Sequence, residues 1–190
     1  GSYNYQEGVI KTNDISKVNL KSNINHEMFK WLKVGANISG NYLHNNRIPG
    51  ADLGSTIIGR AVQQRPFDRP YKPNGGYYTG GTDELLLHNA VQILSEETSY
   101  TDNYRFIGSF WAEAQIIKGL TVRASYNNDS AYTYDYIYYN QNHPYAADKG
   151  RILDRNRFVM TNTIDLYANY NRKIGEDFEL GAMVGHSFLK

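Results

Sequence analysis

Alternation of side chains in the middle of the chain constrains its fold more than any other feature. From residue 104 to residue 116 every second side chain is small, apolar or aromatic, and the same period resumes from residue 120 to residue 126. Successive side chains of a β-strand point to opposite faces, so this period predicts two long strands. A three-residue connection with Gly119 in the left-handed conformation is a common hairpin turn, and we therefore predict an antiparallel β-hairpin.

The hairpin turn also predicts how these two strands pair. Four pairs are expected on the apolar side: Ile116 with Leu120, Ala114 with Val122, Ala112 with Ala124, and Phe110 with Tyr126. The same register puts Glu113 opposite Arg123 on the polar side, where the ion pair would support the hairpin. A two-residue turn at Lys118–Gly119 would instead pair Ala114 with Arg123 and mix the two faces, so we exclude it.

The same alternation recurs on both sides of the central hairpin. Six main strands are predicted, near residues 17–28, 32–45, 104–116, 120–132, 157–171 and 178–189. In the last pair, Tyr170 opposite Phe178 would place Asn162 opposite His186. Strands of about a dozen residues are long compared with the ~5–6 of a typical globular strand. We therefore predict an all-β fold of long antiparallel hairpins in an up-and-down meander.

Two long loops interrupt the meander, at about 46–103 and 128–156. The first loop holds four of the five prolines, and its apolar spacing predicts a short helix from Asp52 through Gln64. The second begins with tyrosines that alternate with Thr133 and Asp135, so we expect the flanking strands to extend into it. Loops of such length in a compact domain are usually functional.

Alternating short and long connections are typical of a transmembrane β-barrel, whose strands need ~9–11 residues. No apolar run approaches the ~20 residues of a membrane helix. Six strands are fewer than the ~8 of the smallest such barrels, so we predict that residues 1–190 form a slice of one larger barrel domain. Seven apolar side chains are expected to face lipid: Phe106, Phe110, Val122, Ile164, Leu166, Leu180 and Val184.

Several stretches resemble the SusC/RagA family of TonB-dependent outer-membrane transporters. They are QEGVIK at 6–11, NLKSNI at 19–24, WLKVGANIS at 31–39, Arg65–Pro66 before a loop rich in tyrosine and glycine, and IKGLTVR at 117–123. Their order matches the family along essentially the whole chain. The resemblance implies an interior slice of a barrel of about 22 strands in the outer membrane of a Gram-negative bacterium, without the plug domain.

The same resemblance implies a function and partners for the full-length protein. It would take up glycans or other nutrients, with an oligosaccharide or peptide ligand, in contact with outer-membrane lipid. TonB would supply the energy, and a SusD-like surface lipoprotein would be the partner.

Eight of the 17 tyrosines are candidates for ligand contact: Tyr71, Tyr77, Tyr78, Tyr132, Tyr134, Tyr136, Tyr138 and Tyr139. Aromatic rings cover the apolar faces of sugars while their hydroxyl groups hydrogen-bond. Tyrosines are also good strand formers and belong to the aromatic girdles of membrane barrels. Both interpretations stay open for these residues.

Other function classes find little support in the sequence. The net charge of +1 without a basic stripe argues against nucleic-acid binding. Five scattered histidines and no cysteine predict no metal site, and no nucleophile elbow, phosphate loop or dinucleotide fingerprint is present, so we predict neither catalysis nor a cofactor. A soluble antiparallel β-domain that binds carbohydrate or another protein is the alternative. Such a domain would have to bury the apolar faces within the chain, and strand length and the family resemblance favour the barrel.

Overall fold

The computed structural model describes residues 1–48, 57–78, 88–146, 149–174 and 178–190. These residues form one open sheet in which seven strands follow their order in the chain, each antiparallel to its neighbours. The strands are β1 (Ser2–Glu7), β2 (Asp14–Phe29), β3 (Leu32–Asn46), β4 (Glu97–Ile117), β5 (Leu120–Tyr139), β6 (Arg151–Ile174) and β7 (Phe178–Leu189). The predicted antiparallel meander is confirmed.

The sheet has one more strand than predicted, because β1 pairs along the free edge of β2 with Tyr3 opposite Val18. Several strands are also longer than predicted. Strand β4 starts at Glu97 and β5 runs to Tyr139, so the second connection covers only residues 140–150 instead of 128–156. The expected extension of strands into this connection is thus confirmed. Backbone pairing between β4 and β5 continues past the point where the apolar alternation ends.

Two short helices lie in the connection between β3 and β4. Helix α1 (Ile57–Gln63) falls within the predicted helix, although Asp52 lies outside the described residues. Helix α2 (Ala90–Glu96) was not predicted; the Asn89 side chain caps it by accepting hydrogen bonds from the backbone N–H groups of Val91 and Gln92. Neither helix is long and apolar enough to cross a membrane.

The register of the central hairpin agrees with the sequence except at the turn. Ala112 pairs with Ala124 and Glu113 with Arg123, as predicted. The prediction that Ile116 faces Leu120 is wrong, because Ile117 takes that place and the pairing is irregular between Gln115 and Ile117. The exclusion of a two-residue turn at Lys118–Gly119 is wrong for the same reason, since Ile117 pairs with Leu120 and the bulge absorbs one extra residue, which keeps both faces intact. Gly119 has a φ of 94°, as the turn requires.

The predicted register of the last hairpin is wrong by four residues. Tyr170 pairs with Ala182 instead of Phe178, and His186 pairs with Leu166 instead of Asn162. The reason is that β6 continues to Ile174 before the chain reverses. An even shift keeps each side chain on its predicted face, because side chains alternate with a period of two.

The buried core of the described chain is small and lies at one end of the sheet. Helices α1 and α2 and residues 140–146 form what we call the cap, whose buried apolar residues are Ile57, Ile93 and Ala146. The cap lies where the connections β3–β4 and β5–β6 leave the sheet, which we call the long-loop end. Most of the sheet carries no such layer among the described residues.

Candidate functional site

Most apolar side chains of the long strands lie on one face of the sheet, which we call the apolar face. Its rows run across neighbouring strands at one level, as in Leu32–Ala114–Val122–Ala168–Val184. All seven side chains predicted to face lipid lie here. Six of them are exposed, from 42% for Phe106 to 71% for Val184, and Val122 is half-buried. The described part of the chain therefore leaves this face uncovered.

A continuous line of aromatic residues crosses the apolar face toward the long-loop end. Tyr42, Tyr104, Tyr132 and Phe158 pair in turn across β3, β4, β5 and β6, and we call them the aromatic row. The ring centroids of Tyr42 and Tyr104 are 4.8 Å apart, and those of Tyr104 and Tyr132 are 6.3 Å apart. At the opposite end, Phe29 stacks on Trp31 at 5.7 Å. Aromatic residues thus border the apolar face at both ends.

The height of the apolar face matches a membrane. Tyr132 lies 12 residues along β5 from Leu120, the first residue of the strand. At ~3.3 Å per residue and a tilt of ~40°, this length spans about 30 Å, close to the ~30 Å hydrocarbon core of a bilayer.

The five candidate tyrosines of β5 divide between the two faces of the sheet. Tyr132, Tyr134, Tyr136 and Tyr138 lie on the same side as the apolar face, and Tyr139 lies on the other side. The Tyr132 hydroxyl donates to Asn156 Oδ1 at 2.5 Å, and the Tyr134 hydroxyl donates to Asp154 Oδ2 at 3.2 Å. Tyr139 instead contacts His143 of the cap, with ring centroids 4.6 Å apart. The structure therefore puts four of these five tyrosines on one side of the sheet, where the rings of Tyr134 and Tyr136 are 6.4 Å apart.

Three further residues join the β5 tyrosines on that side, and sequence reasoning missed them. The Tyr100 ring lies 5.1 Å from the Tyr136 ring and 5.5 Å from the His44 ring, while Asp102 lies between His44 and Tyr134 in the pairing. We call Tyr100, Tyr134 and Tyr136 with His44 and Asp102 the tyrosine patch. It lies beyond the aromatic row. The sequence does carry a signal for Tyr100 and Asp102. Both are even-numbered, so the alternation of β4 puts them on the same side as Tyr104 and Phe106.

The three candidate tyrosines of the first connection lie beside α2. Tyr71 and Tyr77 form a β-bridge with ring centroids 5.7 Å apart, and the Tyr77 hydroxyl is 2.5 Å from Ser95 Oγ. The Asn89 amide donates to the Tyr78 carbonyl at 2.9 Å. The rings of Tyr71 and Tyr78 are exposed. The structure thus groups these three residues, and their contact with ligand stays a prediction.

The opposite face of the sheet is polar and internally hydrogen-bonded, and we call it the polar face. Asp165 accepts hydrogen bonds from Ser125 at 3.3 Å, Asn127 at 3.1 Å and Ser187 at 2.6 Å. Nearer the long-loop end, Arg105 forms an ion pair with Asp129 at 2.6 Å. A polar face opposite an apolar one is what the wall of a water-filled barrel interior requires.

An arginine, a tryptophan and a glycine form a small stack on the polar face. The Arg123 guanidinium lies 4.2 Å from the centroid of the Trp111 ring and 3.6 Å from the Glu113 carboxylate. Trp111 lies directly over Gly35, where a Cβ atom would collide with the indole ring. The ion pair between Glu113 and Arg123 that the sequence predicted is therefore present, and the cation–π contact reinforces it.

The cap has a polar interior around His143. This side chain is 3% exposed, its Nδ1 accepts a hydrogen bond from the Tyr145 backbone N–H at 3.2 Å, and its Nε2 lies 3.6 Å from a Glu97 carboxylate oxygen. Burial, and then the charge of His88, lowers the pKa of His143 to about 4. The Glu97 carboxylate favours the charged ring, but it lies beyond hydrogen-bonding distance, and protonation of Nδ1 would break the bond to Tyr145. We therefore describe His143 as neutral at pH 7.

Within the described ranges, no group of three or more histidine, aspartate or glutamate side chains is arranged to hold a metal ion.

Comparisons with known proteins address both the sequence and the fold. No family model matches the chain. The sequence is similar to TonB-dependent receptor P26 of Formosa agariphila, with 25% identity over 201 residues that cover 100% of this chain and 19% of the receptor. The chain therefore spans about a fifth of the length of this curated relative.

The fold is similar to that of the RagAB peptide importer. Its structure in the 'closed-closed' state matches with a TM-score of 0.77 and 24% identity, covering 98% of this chain and 22% of that chain. The 'open-open' state matches with a TM-score of 0.76 and 22% identity, covering 98% and 21%. The chain is thus similar in sequence to a TonB-dependent receptor and in fold to a segment of the RagAB importer, each of which it spans to about a fifth.

Proposed function

We propose that the chain is a barrel segment of a TonB-dependent outer-membrane transporter that takes up nutrients. The observation that carries the proposal is the exposed apolar face, bordered by aromatic residues and backed by a polar face. In this arrangement the apolar face meets lipid, the polar face lines the barrel interior, and the long-loop end lies outside the cell. The alternative, a soluble carbohydrate-binding or interaction domain, requires cover for the apolar face, which the described residues do not provide.

The substrate class follows from the resemblance and from the tyrosines. We infer that the full-length protein carries oligosaccharides or peptides, is energised by TonB and works with a SusD-like surface lipoprotein. The structural relative RagAB is a peptide importer. Exposed Tyr71 and Tyr78 at the long-loop end would be accessible to a ligand that arrives from outside.

Two adjacent side chains of β7 offer a matched test of the orientation. Val184 on the apolar face is 71% exposed and Met183 on the polar face is 76% exposed. We would place a spin label at Val184→Cys or Met183→Cys in the full-length protein in vesicles. The Val184→Cys label should be relaxed mainly by oxygen, which concentrates in lipid, and the Met183→Cys label mainly by a water-soluble nickel complex. Strong nickel relaxation at both positions would contradict the lipid-facing assignment.

Transport itself is tested with the whole gene. A strain that lacks the protein should lose uptake of one labelled class, oligosaccharides or peptides, and regain it with the wild-type gene. Substitution of Tyr71 and Tyr78 by alanine should reduce that uptake without changing the amount of protein in the outer membrane. Unchanged uptake of both classes in the deletion strain would rule out the proposed nutrient role.

A further inference from the structure

The apolar face contains a groove between the aromatic row and the next row of residues toward the short turns. Its volume is about 410 Å³, and its lining includes Leu20, Tyr42, Phe106, Tyr132 and Phe158. The floor lies at Gly40, where an added Cβ would meet nothing within 4 Å. Large apolar side chains thus stand around a position without a side chain. A groove of this shape and chemistry fits an extended hydrocarbon chain.

The tyrosine patch continues from this groove on the other side of the aromatic row. The Tyr42 hydroxyl donates to Asp102 Oδ1 at 2.8 Å, and His44 Nδ1 lies 2.7 Å from the same oxygen. The Tyr100, Tyr134 and Tyr136 rings lie within 6.4 Å of one another. Ring faces interleaved with fixed hydrogen-bonding groups are suited to sugar rings, which have both apolar faces and hydroxyl groups.

Charge distinguishes between kinds of polar headgroup. Asp102, Asp14 and Asp154 lie on this side of the strands, beyond the aromatic row. Among the described strand residues that pair on this side in the rows of Tyr134 and Tyr136, there is no lysine or arginine. Lys149 and Arg151 lie one row further out, beside Tyr138 and Ile152. A phosphate-bearing headgroup would meet like charges there, whereas an uncharged sugar would not.

We propose that the groove and the tyrosine patch together bind one glycolipid of the surrounding membrane leaflet. An acyl chain lies in the groove over Gly40, and an uncharged sugar headgroup lies on the tyrosine patch. This inference rests on the proposed function, because it requires the apolar face to meet a bilayer. It adds a specific lipid site on the outside of the barrel, separate from any path for the transported nutrient.

The test measures which lipid the full-length protein retains. The purified protein in detergent would receive equal amounts of glucosyl diacylglycerol and phosphatidylglycerol with the same acyl chains, and native mass spectrometry would count the bound molecules. Wild-type protein should retain the glucosyl lipid about tenfold over phosphatidylglycerol. Gly40→Leu, which puts a side chain into the groove where a Cβ atom meets nothing within 4 Å, and Tyr136→Ala, which removes one ring, should each reduce this preference about tenfold. Val184→Leu, on the same face but in a row close to the short β2–β3 and β4–β5 turns, should leave it unchanged.

Equal retention of both lipids by wild-type protein, or a preference that survives Gly40→Leu, would overturn the glycolipid site. Each variant is first checked for folding by its heat-dependent migration in gels. The spin-label measurement at Val184→Cys separates the two proposals. If that label lies in lipid while the lipid preference is absent, the glycolipid site fails and the barrel assignment stands. If that label lies in water, the barrel assignment fails as well.

Discussion

Gly35 has no side chain, and this absence shapes part of the polar face. Gly35 on β3 leaves room for the indole of Trp111 on β4, and the ring in turn supports the Arg123 guanidinium. A glycine inside a strand weakens the strand itself, so its presence needs a compensating contact. Here the compensation is the close approach of a large ring to the backbone.

Gly35 and Gly40 of the same strand give a matched pair of substitutions. Gly35→Ala should destabilise the protein by about 1–3 kcal/mol, because the new methyl group forces Trp111 out of place. Gly40→Ala should cost nothing, since nothing lies within 4 Å of its Cβ position. Thermal unfolding of the full-length protein in detergent measures both. Equal melting temperatures for the two variants would show that the Trp111 packing is unimportant.

The buried His143 makes the stability of the cap depend on pH. Its pKa is about 4 in the folded cap and 6.5 when exposed, so between these values the unfolded cap binds more protons. Stability is therefore complete above pH 6.5 and falls as the pH drops toward 4, by up to about 3 kcal/mol. Hydrogen-exchange protection of α2 measures this fall. His143→Phe should flatten the dependence, and an equal slope in both proteins would contradict the assignment.

At the scale of elements, the hairpins differ in how firmly their local sequence specifies pairing. The β4–β5 hairpin alternates without interruption up to its turn, and a one-residue slip would exchange its two faces. The β6–β7 hairpin has a polar turn region, and a slip by four residues leaves its faces unchanged. The first register was predicted almost correctly and the second was not.

A disulfide can report the central register, since the chain contains no cysteine. Ala112→Cys with Ala124→Cys places two thiols on directly paired residues, and the disulfide should form on mild oxidation. Ala114→Cys with Ala124→Cys places them on diagonal positions, which lie ~7–8 Å apart and should remain reduced. Gel mobility before and after reduction distinguishes the two. Preferential oxidation of the diagonal pair would mean that the register is shifted.

At the scale of the whole molecule, the described sheet has two kinds of unsatisfied surface. Its apolar face is exposed, and β1 and β7 have unpaired edges. Apolar area in water costs about 25 cal/mol per Å², and open edges pair readily with other chains. Both surfaces would be covered in a closed barrel within a bilayer.

The isolated chain of 190 residues should therefore self-associate in water and become smaller in detergent micelles. Light scattering coupled to size-exclusion chromatography would measure its mass in both conditions. Introducing charge on the apolar face, as in Leu166→Glu with Leu180→Glu, should reduce association in water. The control Asn169→Glu lies on the polar face and should leave association unchanged. A monomer in water with the apolar face still exposed would contradict the lipid-facing assignment.

Local patterns in the sequence determined the strand period, the two faces and the central register. These properties depend on alternation and on a short turn, which act between residues close in the chain. The same period placed the seven residues that we propose to face lipid on one side of the sheet, since alternation assigns each residue to a face. For Tyr132, Tyr134, Tyr136 and Tyr138, the period predicted that they share a face. It did not predict which residues of the neighbouring strands would lie beside them.

Only the tertiary structure decided which distant residues meet. Tyr100 and His44 approach through pairing of β3 with β4 across a long connection, and the cap assembles from segments on both sides of the β4–β5 hairpin. The bulge before Gly119 and the continuation of β6 to Ile174 depend likewise on backbone hydrogen bonds with the neighbouring strand. Such pairing is not encoded in local alternation, because any strand edge of suitable length can supply the same backbone groups.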